Sequence, residues 1–331
     1  MPDPIDRSFL EAVEPHCGAL RLHCYRMLGS SHDSDDIVQE TRIRAWRARE
    51  SLDDPAMLRP WLYRIATNAC LDELKRRPKR AYPAHAYPAA EDPRAPPAPA
   101  IEEPVWLEPI PDTWLDGAGE VDPSASYTLK ESVALAFVAA LSILSPVQRA
   151  TLLLRDVVGL SAEETAAALG LSLSAANSAL FRARQTVTEK LGGRDPAELT
   201  PAAAAIDEAL LARYVRAFED ANVDALVALL HDDVTTTMPP SPTWIAGRAA
   251  NEVFYRSRFA SAPCSRCRLL RTRANGQPAF AVYRPLGPGG AFVLHSIQVV
   301  TLRDGVVAVI DYFMTREAFP AFGLPGELPP G

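Results

Sequence analysis

The sequence lacks an apolar run long enough to span a lipid bilayer. Its best candidate, residues 133–144, is 12 residues long, whereas a membrane-spanning helix needs about 20. The first fifteen residues are acidic and interrupted by proline, without the basic start and apolar stretch of a secretory signal. We therefore expect a cytoplasmic protein that has no membrane partner.

Cysteine is scarce as well. The chain has five cysteines among 331 residues, an odd number spread along its length, which argues against a disulfide scaffold. Cys264 and Cys267 form a single CSRC sequence, but a structural zinc site needs four ligands and no second pair of this kind follows. We predict no metal and no other cofactor, and we interpret these two cysteines as small residues at the edge of a strand.

An excess of positive charge is also missing, since the formal net charge is −7. All of this acidity comes from one segment, because residues 81–130 contain two Lys or Arg and nine Asp or Glu, which gives 2 − 9 = −7. The same segment is dense in proline, which disfavours helix and sheet and is typical of an extended linker. The overall charge therefore does not exclude a nucleic-acid partner.

The chain on either side of this segment shows two kinds of periodicity. Helical spacing dominates before it and directly after it, and residues 161–191 have the short helix, glycine turn and longer helix of a helix-turn-helix. From residue 207, two helices precede segments that alternate with period two, which predicts an α+β domain. The predicted parts are a helical domain (1–80), an acidic linker (81–126), a second helical domain (127–192), a hinge (193–206) and the α+β domain (207–325).

Three long segments resemble a known family. Residues 33–46 (DSDDIVQETRIRAW) and 59–77 (RPWLYRIATNACLDELKRR) are similar to region 2 of sigma-70 factors of the extracytoplasmic-function group, and residues 140–191 resemble region 4. The C-terminal domain resembles the SnoaL-like domains, and VWLEPIPD (105–112) resembles a Trp-Leu-Pro motif in the linker of such proteins. The implied fold class is multidomain, with two all-α sigma domains, a region 2 helical bundle and a region 4 helix-turn-helix, followed by an α+β SnoaL-like, NTF2-like cone.

The resemblance implies a sigma factor, which is not an enzyme, with core RNA polymerase and promoter DNA as partners. Region 2 of the family docks on the clamp helices of the polymerase β′ subunit, and region 4 is expected to contact the β flap. Spacings of three and four place the candidate polymerase-binding residues on one helical face. They are Asp36, Gln39, Glu40, Ile43 and Arg47. The pattern alone is more typical of a solvated helix face, and the surrounding resemblance favours polymerase binding.

The second helix of region 2 ends in a dense basic run, which suits phosphate contacts, although such a run is more often an ordinary surface. The resemblance implies recognition of the promoter −10 element by this helix. The candidates are Arg64, Asn68, Asp72, Lys75, Arg76 and Arg77. For the −35 element, the recognition helix should enter the major groove at its N-terminal end. The candidates there are Ser174, Ala175, Asn177, Ser178, Arg182 and Arg184.

The function of the C-terminal domain is less constrained, because one fold of this kind supports many functions. Polar and aromatic side chains on its strands predict a ligand pocket. Its candidates are Trp244, Tyr283, His295, Asp311 and Tyr312. His295 and Asp311 on apolar strand faces are typical of an acid–base pair or of satisfied core residues. The alternatives are a ligand-sensing helix-turn-helix regulator and an isomerase or hydrolase fused to a DNA-binding module. We favour a built-in regulator that contacts the sigma domains, because covalent attachment makes weak contacts sufficient.

Overall fold

The computed structural model describes residues 4–76, 80–101, 106–116, 133–191, 207–260, 266–287 and 289–330. These residues form two compact units. One comprises Met1–Arg80 with Asp112–Leu199, and the other comprises Ala81–Pro111 with Thr200–Gly331. Within the described ranges, no helix combines the length and the apolar character that crossing a membrane requires.

The first unit is entirely helical. Its helices are α1 (Pro4–Val13), α2 (Cys17–Leu28), α3 (Ser31–Arg47), α4 (Leu58–Arg76), α6 (Thr113–Asp116), α7 (Leu135–Ile143), α8 (Pro146–Leu152), α9 (Ala162–Leu169) and α10 (Leu173–Lys190), while α5 (Pro83–Ala86) belongs to the second unit. The predicted helix-turn-helix is confirmed, with α9 and α10 as its two helices. Ser161 and Glu164 form the expected capping box, and the chain turns at Gly170, whose φ of 64° favours glycine.

One hydrophobic core joins the helices before residue 80 to the helices after residue 133. Leu20 and Leu62 from the first group and Phe137 and Leu153 from the second are fully buried in it. Hydrogen bonds also connect the two groups of helices. The Arg59 guanidinium donates to the carbonyl oxygen of Val158 at 2.6 Å. The Arg149 guanidinium donates to the carbonyl oxygen of Met27. The two helical domains predicted from sequence therefore fold as one compact unit.

The second unit is the predicted α+β domain together with residues 81–111. Its elements are α11 (Glu208–Glu219), α12 (Val223–Val227), β1 (Leu230–Thr237), β2 (Trp244–Ala246), α13 (Arg248–Phe259), β3 (Arg268–Ala274), β4 (Gln277–Pro285), β5 (Phe292–Arg303), β6 (Val306–Phe313) and β7 (Glu327–Leu328). The strands form one sheet in the order β2-β1-β6-β5-β4-β3, with β7 paired to β5. The β1–β6 pair is parallel and the other pairs are antiparallel.

The helices of this unit pack against one face of the sheet. Phe280, Val300 and Ile310 contribute to the core between them. A β-bulge interrupts the alternation of β5, because Val282 pairs with Ser296 while Tyr283 pairs with Leu294. The bulge adds His295 to the helix side of the sheet, although unbroken alternation would place it with Ile297 and Val299 on the other face.

Residues 81–111, which we name the strap, do not form the free linker that the sequence predicts. The indole nitrogen of Trp244 donates to the carbonyl oxygen of Tyr87 at 2.8 Å, and the Ile101 amide donates to that of Pro240 at 3.1 Å. Further along, Ile110 and Asn275 exchange two hydrogen bonds of 3.0 Å. Proline removes backbone donors, so the strap is held by those amides and carbonyls that remain free to pair with the domain.

Candidate functional site

The face predicted to bind polymerase is exposed on α3. Asp36, Gln39, Ile43 and Arg47 are exposed and Glu40 is half-buried, while Val38 and Ala45 on the opposite side are buried in the core. Ser30 caps the helix by accepting a hydrogen bond from the Asp33 amide at 3.2 Å. The spacing of three and four therefore brings these five residues together, as expected.

Local ion pairs lie along this face. Glu40 accepts a hydrogen bond from Arg44 at 2.8 Å, and Asp36 lies 3.8 Å from the imidazole of His32. Ile43 has no such role, yet 46% of its side chain is exposed. A large apolar side chain surrounded by charged residues is typical of a surface that a partner covers.

Helix α4 presents only some of the residues predicted for −10 recognition. Arg64, Lys75 and Arg76 are exposed, and Arg77 lies outside the described residues. Asp72 accepts a hydrogen bond from Lys75 at 3.0 Å, and this bond is the largest cause of the lowered pKa of the Asp72 carboxyl. The described basic end of the helix therefore carries one ion pair, Asp72 with Lys75, followed by the exposed Arg76.

Asn68 faces protein in this structure. It is half-buried, and its amide nitrogen lies 3.5 Å from the carbonyl oxygen of Ala168 in α9. Helix α4 packs along α9 over much of its length. The side-chain amide of Asn68, a candidate for −10 recognition, therefore faces the first helix of the helix-turn-helix.

Helix α10 carries a polar, open face at its N-terminal half. Ser174, Asn177, Ser178 and Arg182 line one shallow surface together with Leu173 and Phe181. Ala175 is exposed but does not line this surface.

Phe181 is a candidate that the sequence reasoning missed. Its side chain is 69% exposed, more than is usual for an aromatic residue of a folded protein. A signal was available, because residue 181 follows Ser174 and Ser178 at helical spacing on the same polar face.

Arg184 does not join that surface. Its guanidinium makes two hydrogen bonds, of 2.8 and 2.6 Å, to the buried carboxylate of Asp156. Asp156 lies in a π-helical turn, Leu153–Val157, that follows α8. A bidentate pair to a buried carboxylate makes Arg184 part of the domain's own structure, so the sequence prediction of a DNA contact is not supported here.

The five residues predicted for a C-terminal pocket lie in two different environments. His295 and Tyr312 line a cavity of about 420 Å³ between the sheet and the helices of the second unit. Trp244 and Tyr283 do not line the cavity. The Trp244 indole nitrogen donates to the strap, and the Tyr283 hydroxyl donates to the carbonyl oxygen of Pro325 at 2.8 Å.

Asp311 lies on the opposite face of the sheet from the cavity. Consecutive residues of a strand point to opposite sides, so Asp311 and Tyr312 cannot share one pocket. Asp311 accepts hydrogen bonds from the hydroxyl groups of Thr237 at 2.6 Å and Tyr82 at 2.7 Å. Of the two interpretations of these residues, an acid–base pair is excluded because the sheet separates His295 from Asp311, and Asp311 is a hydrogen-bonded core residue.

Metal-ligating groups do not converge in the parts of the chain that the structure describes, where no cluster of three or more His, Cys, Asp or Glu is found. Cys267 is buried and lines the cavity, whereas its CSRC partner, Cys264, falls outside those parts.

Comparison with protein families supports this organisation along the chain. Residues 12–80 match Sigma-70 region 2, residues 134–187 match Sigma-70 region 4, and residues 211–310 match the SnoaL-like domain. The strap lies between the first two matches, and most of the residues that line the cavity lie in the third.

Relatives from Mycobacterium tuberculosis extend over nearly the whole chain. The ECF RNA polymerase sigma factor SigG of strain H37Rv is 41% identical over 326 residues, which cover 97% of this chain and 85% of that protein. The sigma factor SigJ is 30% identical over 316 residues, 88% of each chain. The crystal structure of SigJ has the same fold, with a TM-score of 0.58, 24% identity and coverage of 96% of this chain and 100% of that one. The chain therefore belongs to the extracytoplasmic-function sigma factors, the sigma-70 proteins that direct transcription initiation by RNA polymerase, and it carries a C-terminal SnoaL-like domain.

Proposed function

We propose that the exposed face of α3 binds the clamp helices of the polymerase β′ subunit. The observation that carries this proposal is the exposure of Ile43 between Asp36, Gln39 and Arg47 on a helix whose other side is buried. Charged groups around an apolar centre give both steering and affinity in protein interfaces. The β flap is the expected second contact, through region 4.

Promoter recognition is assigned to α4 for the −10 element and to α10 for the −35 element. Arg64, Lys75 and Arg76 offer cations to phosphates, and these contacts position the protein without reading sequence. Asn177 has an amide that can pair with adenine through two hydrogen bonds in the major groove. Phe181 adds an apolar group beside it, suited to the methyl group of thymine.

The contact of Asn68 with α9 supports a second step in this function. As long as α4 packs on α9, the Asn68 amide is not available to DNA. We assign to the free protein a closed arrangement of regions 2 and 4, which separate when they engage polymerase and promoter.

The SnoaL-like domain is assigned a regulatory role through the strap. The chain that connects α4 to α7 includes residues 81–111, and these belong to the compact C-terminal unit. A strap held by Trp244, Pro240 and Asn275 shortens the free chain between regions 2 and 4. Docking of the strap therefore restrains the opening of the helical unit, and its release favours initiation. Direct contact of the C-terminal domain with the sigma domains stays a prediction.

The test of the polymerase site compares two substitutions of exposed apolar residues. Ile43→Ser should weaken binding to core RNA polymerase by about tenfold or more, because it removes the apolar centre of the face. Leu10→Ser in α1 is the matched control, since Leu10 is 39% exposed but lies outside that face. Binding is measured by co-purification with core polymerase, and function by promoter-dependent run-off transcription.

Equal binding by the two variants would contradict the assignment of the α3 face. Loss of binding by Ile43→Ser with an unchanged circular dichroism spectrum would support it, because a folded protein would then lack only the contact.

A further inference from the structure

The cavity of the C-terminal unit has the size and lining of a small-molecule site. Its volume of about 420 Å³ falls in the range of about 300–1,000 Å³ that is usual for ligand pockets. Most of its wall is apolar and aromatic. The principal contributors are Phe218, Phe254, Tyr255, Phe259, Val282 and Tyr312.

Arg284 and His295 give this cavity one polar region. They come from neighbouring strands, and the β-bulge in β5 turns His295 toward the cavity. Nε of Arg284 and Nδ1 of His295 are both buried, and neither atom has a hydrogen-bond partner among the described residues. Buried polar atoms are nearly always paired in folded proteins, so two unpaired nitrogens in one cavity indicate that a partner is to be supplied.

The charge of the cavity restricts what that partner can be. Two arginines, Arg258 and Arg284, line the cavity. None of the described residues that line it has a carboxylate. Burial, together with the nearby Arg284 and Arg316, lowers the pKa of His295 to about 4, so its imidazole is neutral at pH 7. A guanidinium without a lining carboxylate, next to a neutral imidazole that can donate from Nδ1, is complementary to a carboxylate.

We propose that this cavity binds an apolar monocarboxylate, with its carboxylate on Arg284 and His295 and its hydrocarbon body against the aromatic wall. The apolar wall excludes strongly hydrophilic anions, because nothing in it would replace their hydration.

The strap closes this site on one side. Pro97, Ala98 and Ala100 line the cavity, and the Ala98 amide donates to the Thr243 hydroxyl oxygen at 2.8 Å. Close by, the Arg258 guanidinium donates to the carbonyl oxygen of Arg94 at 3.0 Å. A ligand in the cavity thus contacts these strap residues, and it can do so only while the strap is docked. It therefore shifts the equilibrium toward the docked strap.

The test uses the full-length protein and pairs of acids and alcohols with the same hydrocarbon body. Isothermal titration calorimetry at pH 7.5 compares 2-naphthoate with 2-naphthalenemethanol, and decanoate with 1-decanol. At least one acid should bind with one-to-one stoichiometry, about tenfold more tightly than its alcohol. Arg284→Met keeps an unbranched apolar stem and removes the guanidinium, and it should remove this preference.

Arg213→Met is the matched control, because Arg213 is an exposed residue of α11 that does not line the cavity. This variant should keep the preference for the acid. Circular dichroism verifies that both variants are folded. The proposal is overturned if neither acid binds at 1 mM, or if folded Arg284→Met prefers the acid as strongly as the wild type does.

Hydrogen exchange tests the role of the strap. The bound acid should slow exchange of the Ala98 and Ile101 amides, which hold the strap next to the cavity. Binding without slower exchange would overturn the coupling to the strap. Both measurements omit polymerase and promoter, so a negative result would leave the proposed function of the sigma regions intact.

Discussion

Asp311 is a carboxyl group enclosed between the sheet and the strap. Its Oδ1 accepts two hydroxyl hydrogen bonds, from Thr237 and Tyr82, and its side chain is almost completely buried. Burial raises the pKa of Asp311 from 3.8 to about 6, and the two hydrogen bonds act in the opposite direction without cancelling this effect. The residue is therefore charged at neutral pH in surroundings that favour its neutral form.

This raised pKa predicts how the stability of the C-terminal unit depends on pH. A folded pKa above the unfolded one means that the folded state holds the proton more tightly, so stability falls as the pH rises from about 4 to 6 and is level above that. Asp311→Asn keeps an oxygen acceptor and removes the charge. Its stability advantage over the wild type should therefore grow by about 2 kcal/mol between pH 4 and pH 7.5.

Native-state hydrogen exchange of the β6 amides, corrected for intrinsic exchange rates, measures this free energy for the sheet itself. Asp304→Asn is the control, because the Asp304 side chain is 80% exposed. Parallel pH curves for Asp311→Asn and the wild type would show that Asp311 has no raised pKa.

Residue patterns in the sequence predicted single positions well wherever the periodicity was regular. The exposed face of α3 follows from spacings of three and four, and the capping box at Ser161 follows from Glu164 three residues later. The cavity residues were predicted less well. His295 is turned by a β-bulge that no local signal announces, and Asp311 was grouped with its strand neighbour Tyr312 although alternation separates them.

At the scale of the element, α10 offers a test of sequence readout. Phe181 is the most exposed aromatic side chain on its polar face, and contact with the thymine methyl group is its expected role. With a promoter selected by the wild-type holoenzyme, replacing thymine by uracil in the −35 element removes only that methyl group. Wild-type transcription should fall by about fivefold, and Phe181→Ala should transcribe both promoters equally.

The control for this experiment is Val147→Ala, a substitution of an apolar residue in α8 that is 40% exposed and does not line that surface. It should respond to uracil as the wild type does. A Phe181→Ala variant that still loses activity on the uracil promoter would exclude the methyl contact.

The elements themselves could largely be derived from sequence, and their association could not. Helix-turn-helix spacing, proline at the start of α8 and period-two strands are local signals, and each led to the observed type of element. The common core of regions 2 and 4 depends on contacts between residues about 100 positions apart, such as Arg59 with Val158. From its composition, the strap was predicted to be an extended linker. Proline content does not show which carbonyl and amide groups dock the strap on the domain.

At the scale of the whole molecule, the role proposed for the strap in initiation can be tested by weakening its docking. The double substitution Thr243→Val and Trp244→Phe removes the acceptor of the Ala98 amide and the donor to Tyr87. Valine is nearly isosteric with threonine, and phenylalanine keeps an aromatic ring that is smaller than the indole. We expect exchange of strap amides to accelerate by about 30-fold, because two hydrogen bonds of about 1 kcal/mol each are lost. Run-off transcription should rise at least about twofold, since the chain between regions 2 and 4 gains free length.

The single substitution Thr243→Val removes only the acceptor of the Ala98 amide, so its exchange and transcription should lie between those of the wild type and the double variant. Faster strap exchange with unchanged or reduced transcription would contradict the restraining role of the strap.

The order of residues along the chain has a consequence for the protein during its synthesis. The strap leaves the ribosome before any of the strands that hold it, and the last of these strands, β6, ends at Phe313. At about 5–20 residues per second, the chain between residues 111 and 313 takes roughly 10–40 s to make. Region 4 ends well within that interval, at residue 187. Every newly made chain therefore passes through a stage in which both sigma regions have been synthesised and the docked strap has not yet formed.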